Sequence, residues 1–147
     1  MKDRIFVDTN VLVYCRDSTE REKQPVAMEW MKHLWNTRSG RLSNQVLQEY
    51  YVTVTEKLRP GLDKESARSE LRTLFLWRPI FVEGHILEEA WNVQDRYKLS
   101  WWDALIVSTA QASDCGYLLS EDFQEGMKFG TLTVINPFNT SPSKFVI

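Results

Sequence analysis

The chain has 147 residues, 43% of them hydrophobic and 12% aromatic, enough for one compact domain with its own core and too apolar for a disordered chain. A formal net charge of −2 excludes a bulk basic field for nucleic acid, so any such contact must use a local basic patch. No apolar run approaches the ~20 residues of a membrane-spanning helix, and Met1-Lys2-Asp3-Arg4 leads into the first apolar run without a signal-peptide pattern, so the expectation is a cytoplasmic protein without a membrane partner.

In chain order, residues 4–8 read as a buried strand with Asp8 at its C-terminal end. Val11 to Tyr14 extends that strand or begins a helix, and "DSTEREKQP" reads as a polar loop. Pro25 fits the first turn of a helix running to about Arg38, with Val26, Trp30, Met31, Leu34 and Trp35 on one face and Gly40 at its end. "RLSNQVLQEYYVTVTEKL" reads as a short strand-like entry followed by a helix. Ser43 caps that helix, Glu49 lies among its apolar residues, and Pro60-Gly61 stops it. Asp63 caps a further helix that Pro79 breaks, and Ile80-Phe81-Val82 reads as a short strand. A helix is expected from Ile86 to about Tyr97. "LSWWDALIVSTAQASDCG" is the clearest helix, capped by Ser100, with Asp103 three residues on and Gly116 closing it. "YLLSED" and "TLTVINPF" complete the strands, and the chain from about residue 139 reads as loose tail. Strands alternating with helices over residues 1–147 predict a single domain with a three-layer α/β/α architecture and a mainly parallel sheet.

Four acids stand in this pattern. Asp8 and Asp122 end strands, and sites in parallel sheets form beyond the C-terminal strand ends. Asp103 opens a helix, and Glu49 sits in an otherwise apolar helical stretch. Converging acids repel one another, and a hard divalent cation with oxygen ligands resolves the repulsion. Each acid has a plainer reading. Asp103 suits a capping box, Asp122 a turn and Glu49 a helix edge. Asp8 is hardest to dismiss, because three apolar strand residues precede it and a buried carboxylate is costly. Asn10 and Ser120 are candidates for orienting the acids, with Asn10 equally suited to a turn or cap. Trp101 and Trp102 flank Asp103 as packing, interface or base-stacking residues. Lys57, Arg59, Arg68 and Arg72 are candidate phosphate contacts, though a solvated helix face explains them as well. His33 and His85 fall outside the acidic motifs and read as surface residues, and Cys15 and Cys115 read as reduced packing residues without metal-ligand spacing.

"FVDTNVLVY", Gln45 to Glu49, "SWWDALIVSTA" and "LLSEDFQEG", followed by "VINPF", together resemble a PIN domain, in size and layout the VapC-type toxin ribonucleases of toxin–antitoxin pairs. The resemblance covers nearly the whole chain. It implies a Mg²⁺- or Mn²⁺-dependent endoribonuclease acting on RNA, a homodimer, and an inhibitory antitoxin protein. It assigns Asp8, Glu49, Asp103 and Asp122 to the acidic quartet. Asp8, Asp103 and Asp122 are then metal ligands, and Asn10 and Ser120 are supporting residues. "SED" offers both Glu121 and Asp122, and the spacing from Ser120 favours Asp122. A haloacid-dehalogenase phosphatase needs a second Asp where Asn10 stands, and a Rossmann-type nucleotide binder needs a glycine-rich turn that "DTNVL" lacks. The competing reading is a non-catalytic PIN-like module that binds RNA or protein.

Overall fold

The structure, a computed structural model, describes residues 4–145. The first strand, β1 (Ile5–Val7), is buried on both faces, which explains its unbroken apolar run. With β2 (Gly40–Arg41), β3 (Tyr117–Leu119), β4 (Lys128–Phe129) and β5 (Leu132–Ile135) it forms a five-stranded sheet of order β2-β1-β3-β5-β4, in which it lies between β2 and β3. The β1–β2, β1–β3 and β3–β5 pairs are parallel, and β4 closes the edge antiparallel to β5. Helices α1 (Thr9–Tyr14), α2 (Lys23–Thr37), α3 (Asn44–Val52), α4 (Lys64–Leu74), α5 (Gly84–Tyr97) and α6 (Trp101–Ala112) cover the sheet in a three-layer α/β/α arrangement.

Asp8 explains the change from strand to helix. Its backbone is extended, and its Oδ1 accepts from the Thr9 amide at 2.7 Å, so α1 begins at once. Val11 to Tyr14 is therefore helical, and the strand does not continue. Ser43, Asp63 and Ser100 cap α3, α4 and α6 through side-chain oxygens, as their sequence positions predict.

Several expectations are corrected. Helix α2 begins at Lys23, inside the stretch read as loop, while its end at Thr37, with Arg38 in the left-handed conformation as its cap, falls where expected. Gly40 is a strand residue instead of a helix stop. A Cβ there would lie 2.3 Å from the Trp77 ring, so this glycine admits the indole against the sheet. Ile80-Phe81-Val82 forms no strand; Ile80 makes one isolated parallel bridge with Ser43, and Phe81 is exposed. Helix α6 stops at Ala112, four residues before Gly116. Past Val52, α3 passes into a π-helical turn over Thr53–Lys57.

The segment after 139, expected as loose, is docked through residue 145. The Trp30 indole N–H lies 3.0 Å from the Pro137 carbonyl and 3.2 Å from that of Thr140. Phe145 packs on Trp30 and Tyr117. A fully buried Trp needs such N–H acceptors, and the tail supplies them. Cys115 is buried and Cys15 half-buried, both as free thiols. Burial is the main cause raising each thiol to about 12. Among the described residues no helix is long and apolar enough to cross a membrane.

Candidate active site

The C-terminal ends of β1 and β3 bring distant residues into one hydrogen-bond network. Ser120 Oγ donates to Asp8 Oδ2 at 2.7 Å, and the Asp122 amide donates to Ser120 Oγ at 3.1 Å. Asn10 lies in the first turn of α1 because Asp8 caps that helix. Its Nδ2 stands 3.3 Å from Asp8 Oδ2, 3.3 Å from Ser120 Oγ and 3.1 Å from Asp122 Oδ2. Its Oδ1 accepts from the Glu121 amide, which fixes the orientation of the side-chain amide.

Asp8 is 6% exposed. Burial raises its pKa from 3.8 to about 6, against the lowering bonds from Ser120 and Thr9, and the charges of Asp122 and Asp103 add to the rise. Asp103, in the first turn of α6, is also raised, first by burial and then by Asp122, while its bond with Ser100 lowers it. Asp8, Asp103 and Asp122 thus share one electrostatic neighbourhood. Glu49 reaches it through Thr9, whose Oγ1 donates to Glu49 Oε1 at 3.1 Å; Gln45 Nε2 lies 3.4 Å from the same oxygen. Thr9 was not singled out from the sequence, although its position directly after the acid and at the start of α1 is the signal.

Glu121 faces elsewhere. It pairs with Lys23, and its carboxyl falls below the usual range; burial raises it, but bonds from Lys23 and Tyr14 outweigh burial. The Lys23 charge is spent on Glu121, so Asp122 is the acid left facing Asn10.

The set fits a hard divalent cation in donor chemistry, since Asp8, Asp103 and Asp122 offer carboxylate oxygens and Asp8 is a buried acid pressed by like charges. As they stand, no group of three His, Cys, Asp or Glu among the described residues is close enough to enclose an ion. A groove of about 460 Å³ opens beside Glu49, lined by Gln45, Gln48, Phe81 and Trp102 among others. Trp102 is 61% exposed there, whereas Trp101 is half-buried and packs with Trp91. Of the candidate phosphate contacts, Arg68 is engaged with Tyr51, Arg72 with Glu65, and Arg59 with nearby carbonyls. Lys57 lines a hollow with Glu49. His85 is exposed; His33 is instead half-buried edge-on to Trp30, with no hydrogen-bond partner for Nε2.

A PIN-domain family model matches residues 5–124, and the chain belongs to the PIN-domain family. No curated protein matches it. Among solved structures it resembles Mycobacterium tuberculosis VapC20, described as a sarcin-ricin loop cleaving toxin. That likeness has a TM-score of 0.60 and 22% identity, and covers 80% of this chain and 91% of that one. A toxin–antitoxin complex from Klebsiella pneumoniae matches with a TM-score of 0.55 and 20% identity over 90% of this chain and 97% of that one. FitAB bound to a DNA fragment matches with a TM-score of 0.69 and 19% identity over 91% and 95%. At these identities the likeness establishes the fold.

Proposed function

We propose that this chain is a Mg²⁺- or Mn²⁺-dependent endoribonuclease, the toxin of a toxin–antitoxin pair. The observation that carries the reading is the buried Asp8, bonded through Ser120 and Asn10 to Asp122 and sensing the charges of Asp103 and Asp122. Membership of the PIN-domain family supports it. The sarcin-ricin loop cleavage named for the VapC20 structure, and the antitoxin named for the Klebsiella complex, support the substrate and partner classes.

In this reading Asp8, Asp103 and Asp122 hold the cation. Bound there, it supplies Lewis acidity toward water and the scissile phosphate. Asn10 and Ser120 hold Asp8 and Asp122 in register. Glu49 is exposed, with Oε1 fixed by Thr9 and Gln45, and serves as the acid nearest the incoming strand. Lys57 and Trp102 stand at the rim, where a phosphate or base would pass. Phe81 and Trp91 are exposed apolar residues that a homodimer would cover.

The test is RNA cleavage by wild type and Asp8→Asn, in Mg²⁺, in Mn²⁺ and with chelator. Metal-dependent cleavage present in wild type and lost in the folded variant is expected. Cleavage that survives Asp8→Asn or chelation would overturn the assignment. Failure of wild type to cleave any of several RNAs would favour the binding-module reading.

A further inference from the structure

At the opposite ends of the strands lies a basic cavity that the proposed nuclease chemistry does not use. It measures about 700 Å³ and is lined by Arg4, Arg38, Arg41 and Arg78, with Trp35 and Trp77 as an aromatic wall. Arg4 precedes β1 and Arg38 precedes β2, whereas Asp8 and Asp122 follow the C-terminal ends of β1 and β3.

The placement is unusual in two ways. First, a chain of net charge −2 gathers four guanidinium groups here, and Asp114 is the only carboxylate among the described lining residues. The ion pairs between described residues are Arg16–Glu70, Lys23–Glu121 and Arg72–Glu65, and none uses these arginines. Arg41 is held below its ordinary range, by burial first and then by the Arg4 and Arg78 charges. Second, Arg38 and Arg78 have φ of 57° and 54°, the left-handed region where glycine is easier. The partial negative charge of helix C-termini accounts for a cation after α2 and after the turn Phe75–Trp77. It does not account for Arg4, just before β1, or Arg41, in β2. Arg41 is already oriented, with Nη1 donating to the Gly40 carbonyl at 2.7 Å and the Arg38 carbonyl at 3.3 Å; among the described residues its other guanidinium nitrogens make no hydrogen bond.

Planar guanidinium forks match phosphate oxygens, and the half-buried Trp35, backed by the buried Trp77, offers an indole surface to a base. We propose that this cavity binds a phosphorylated nucleoside unit, carried either by an RNA strand or by a free mononucleotide. The inference stands apart from the nuclease reading, because it uses none of the acidic residues.

The test is calorimetric titration of 5′-AMP, a short oligoadenylate and orthophosphate at low salt. Chelator is present throughout, in an Asp8→Asn background that cannot cut the oligomer by the proposed route. The comparison protein adds Arg38→Gly and Arg78→Gly, which remove two charges where glycine relieves the backbone, so its melting temperature should hold or rise. Binding of AMP or oligoadenylate, weakened at least ~10-fold by the two glycines, is expected. Tighter oligoadenylate binding identifies an RNA strand as the source, and equal or tighter AMP binding a free nucleotide. The proposal is overturned if neither nucleotide binds, if the glycine variant binds as well as its parent, or if orthophosphate binds as tightly as AMP.

Discussion

Ser120 Oγ donates to Asp8 Oδ2 at 2.7 Å, and the same hydroxyl oxygen accepts from the Asp122 amide at 3.1 Å. One hydroxyl therefore ties the acid after β1 to the acid after β3. Ser120→Ala removes a bond that lowers the Asp8 pKa and leaves the Asp122 amide without that acceptor. If the nuclease reading holds, the acidic limb of the cleavage pH profile should move upward by ~1 pH unit. The variant should also lose ~1–3 kcal/mol of stability, read from denaturant melts. An unmoved acidic limb in a folded variant would separate Asp8 from the chemistry.

Asp8 itself should make the metal-free protein sensitive to pH. Folding raises its pKa from 3.8 to about 6. The protonated form is the one folding favours, so this contribution is present below about 3.8 and is lost as pH climbs through about 6. At ~1.4 kcal/mol per pH unit, ionised Asp8 costs the metal-free fold on the order of 3 kcal/mol at neutral pH. In chelator, Asp8→Asn should melt higher than wild type at pH 7 to 8, and the gap should close toward pH 4. A constant gap across that range would show that Asp8 is not the titrating group.

Asp8 was legible because three buried strand residues run directly into it, and Ser43 and Ser100 because capping is a local choice. The contact between Asn10 and Ser120 is not written in the spacing of either residue from its neighbouring acid. Asn10 is helical, and the Asp8 cap that starts α1 brings its side chain to Ser120 at the end of β3. The Lys23–Glu121 pair and the gathering of Arg4, Arg38, Arg41 and Arg78 were not legible. Each joins residues from separate elements with no periodic spacing, and the order of strands decides which residues meet. The docked tail was missed for a related reason. Its sequence is polar, and it is held by the indole of Trp30, more than a hundred residues earlier.

Glu121 and Asp122 can be separated by substitution. Glu121 is engaged by Lys23 and Tyr14, whereas Asp122 bonds Asn10 and raises Asp8 and Asp103 by its charge. Asp122→Asn should lower cleavage by ~100-fold or more if it is a ligand. Glu121→Gln should change it by less than ~3-fold, as expected of a partly exposed pair. The reverse order would make Glu121 the fourth acid.

Gly40 gives a test of packing that is independent of the nuclease chemistry. A methyl group there would meet three carbons of the Trp77 ring at 2.3 to 2.6 Å, closer than real side chains allow. Trp77 is 6% exposed and tilts against Trp35 with ring centroids 5.0 Å apart, so the indole has little room to withdraw. Gly40→Ala should cost ~1–3 kcal/mol, seen as a lower melting temperature.

Metal binding should be visible without any RNA. A cation that binds the native acids and not the unfolded chain stabilises by RT ln(1 + [L]/Kd), about 2.7 kcal/mol at a hundredfold excess over Kd. For a chain of this size that is a rise in melting temperature of roughly 5–10 °C. Mn²⁺ should give such a rise in wild type and in Glu121→Gln. It should give little in Asp8→Asn, which removes a carboxylate charge from the shared neighbourhood of Asp103 and Asp122. No group of three acids among the described residues encloses an ion as they stand, so if the proposed ligands Asp8, Asp103 and Asp122 hold it, binding should bring their side chains together. Indole emission reports it, because Trp101 and Trp102 sit beside Asp103 at the start of α6. A saturable change in emission at the concentrations that raise the melting temperature is expected. A rise of equal size in Asp8→Asn would place the cation elsewhere on the protein.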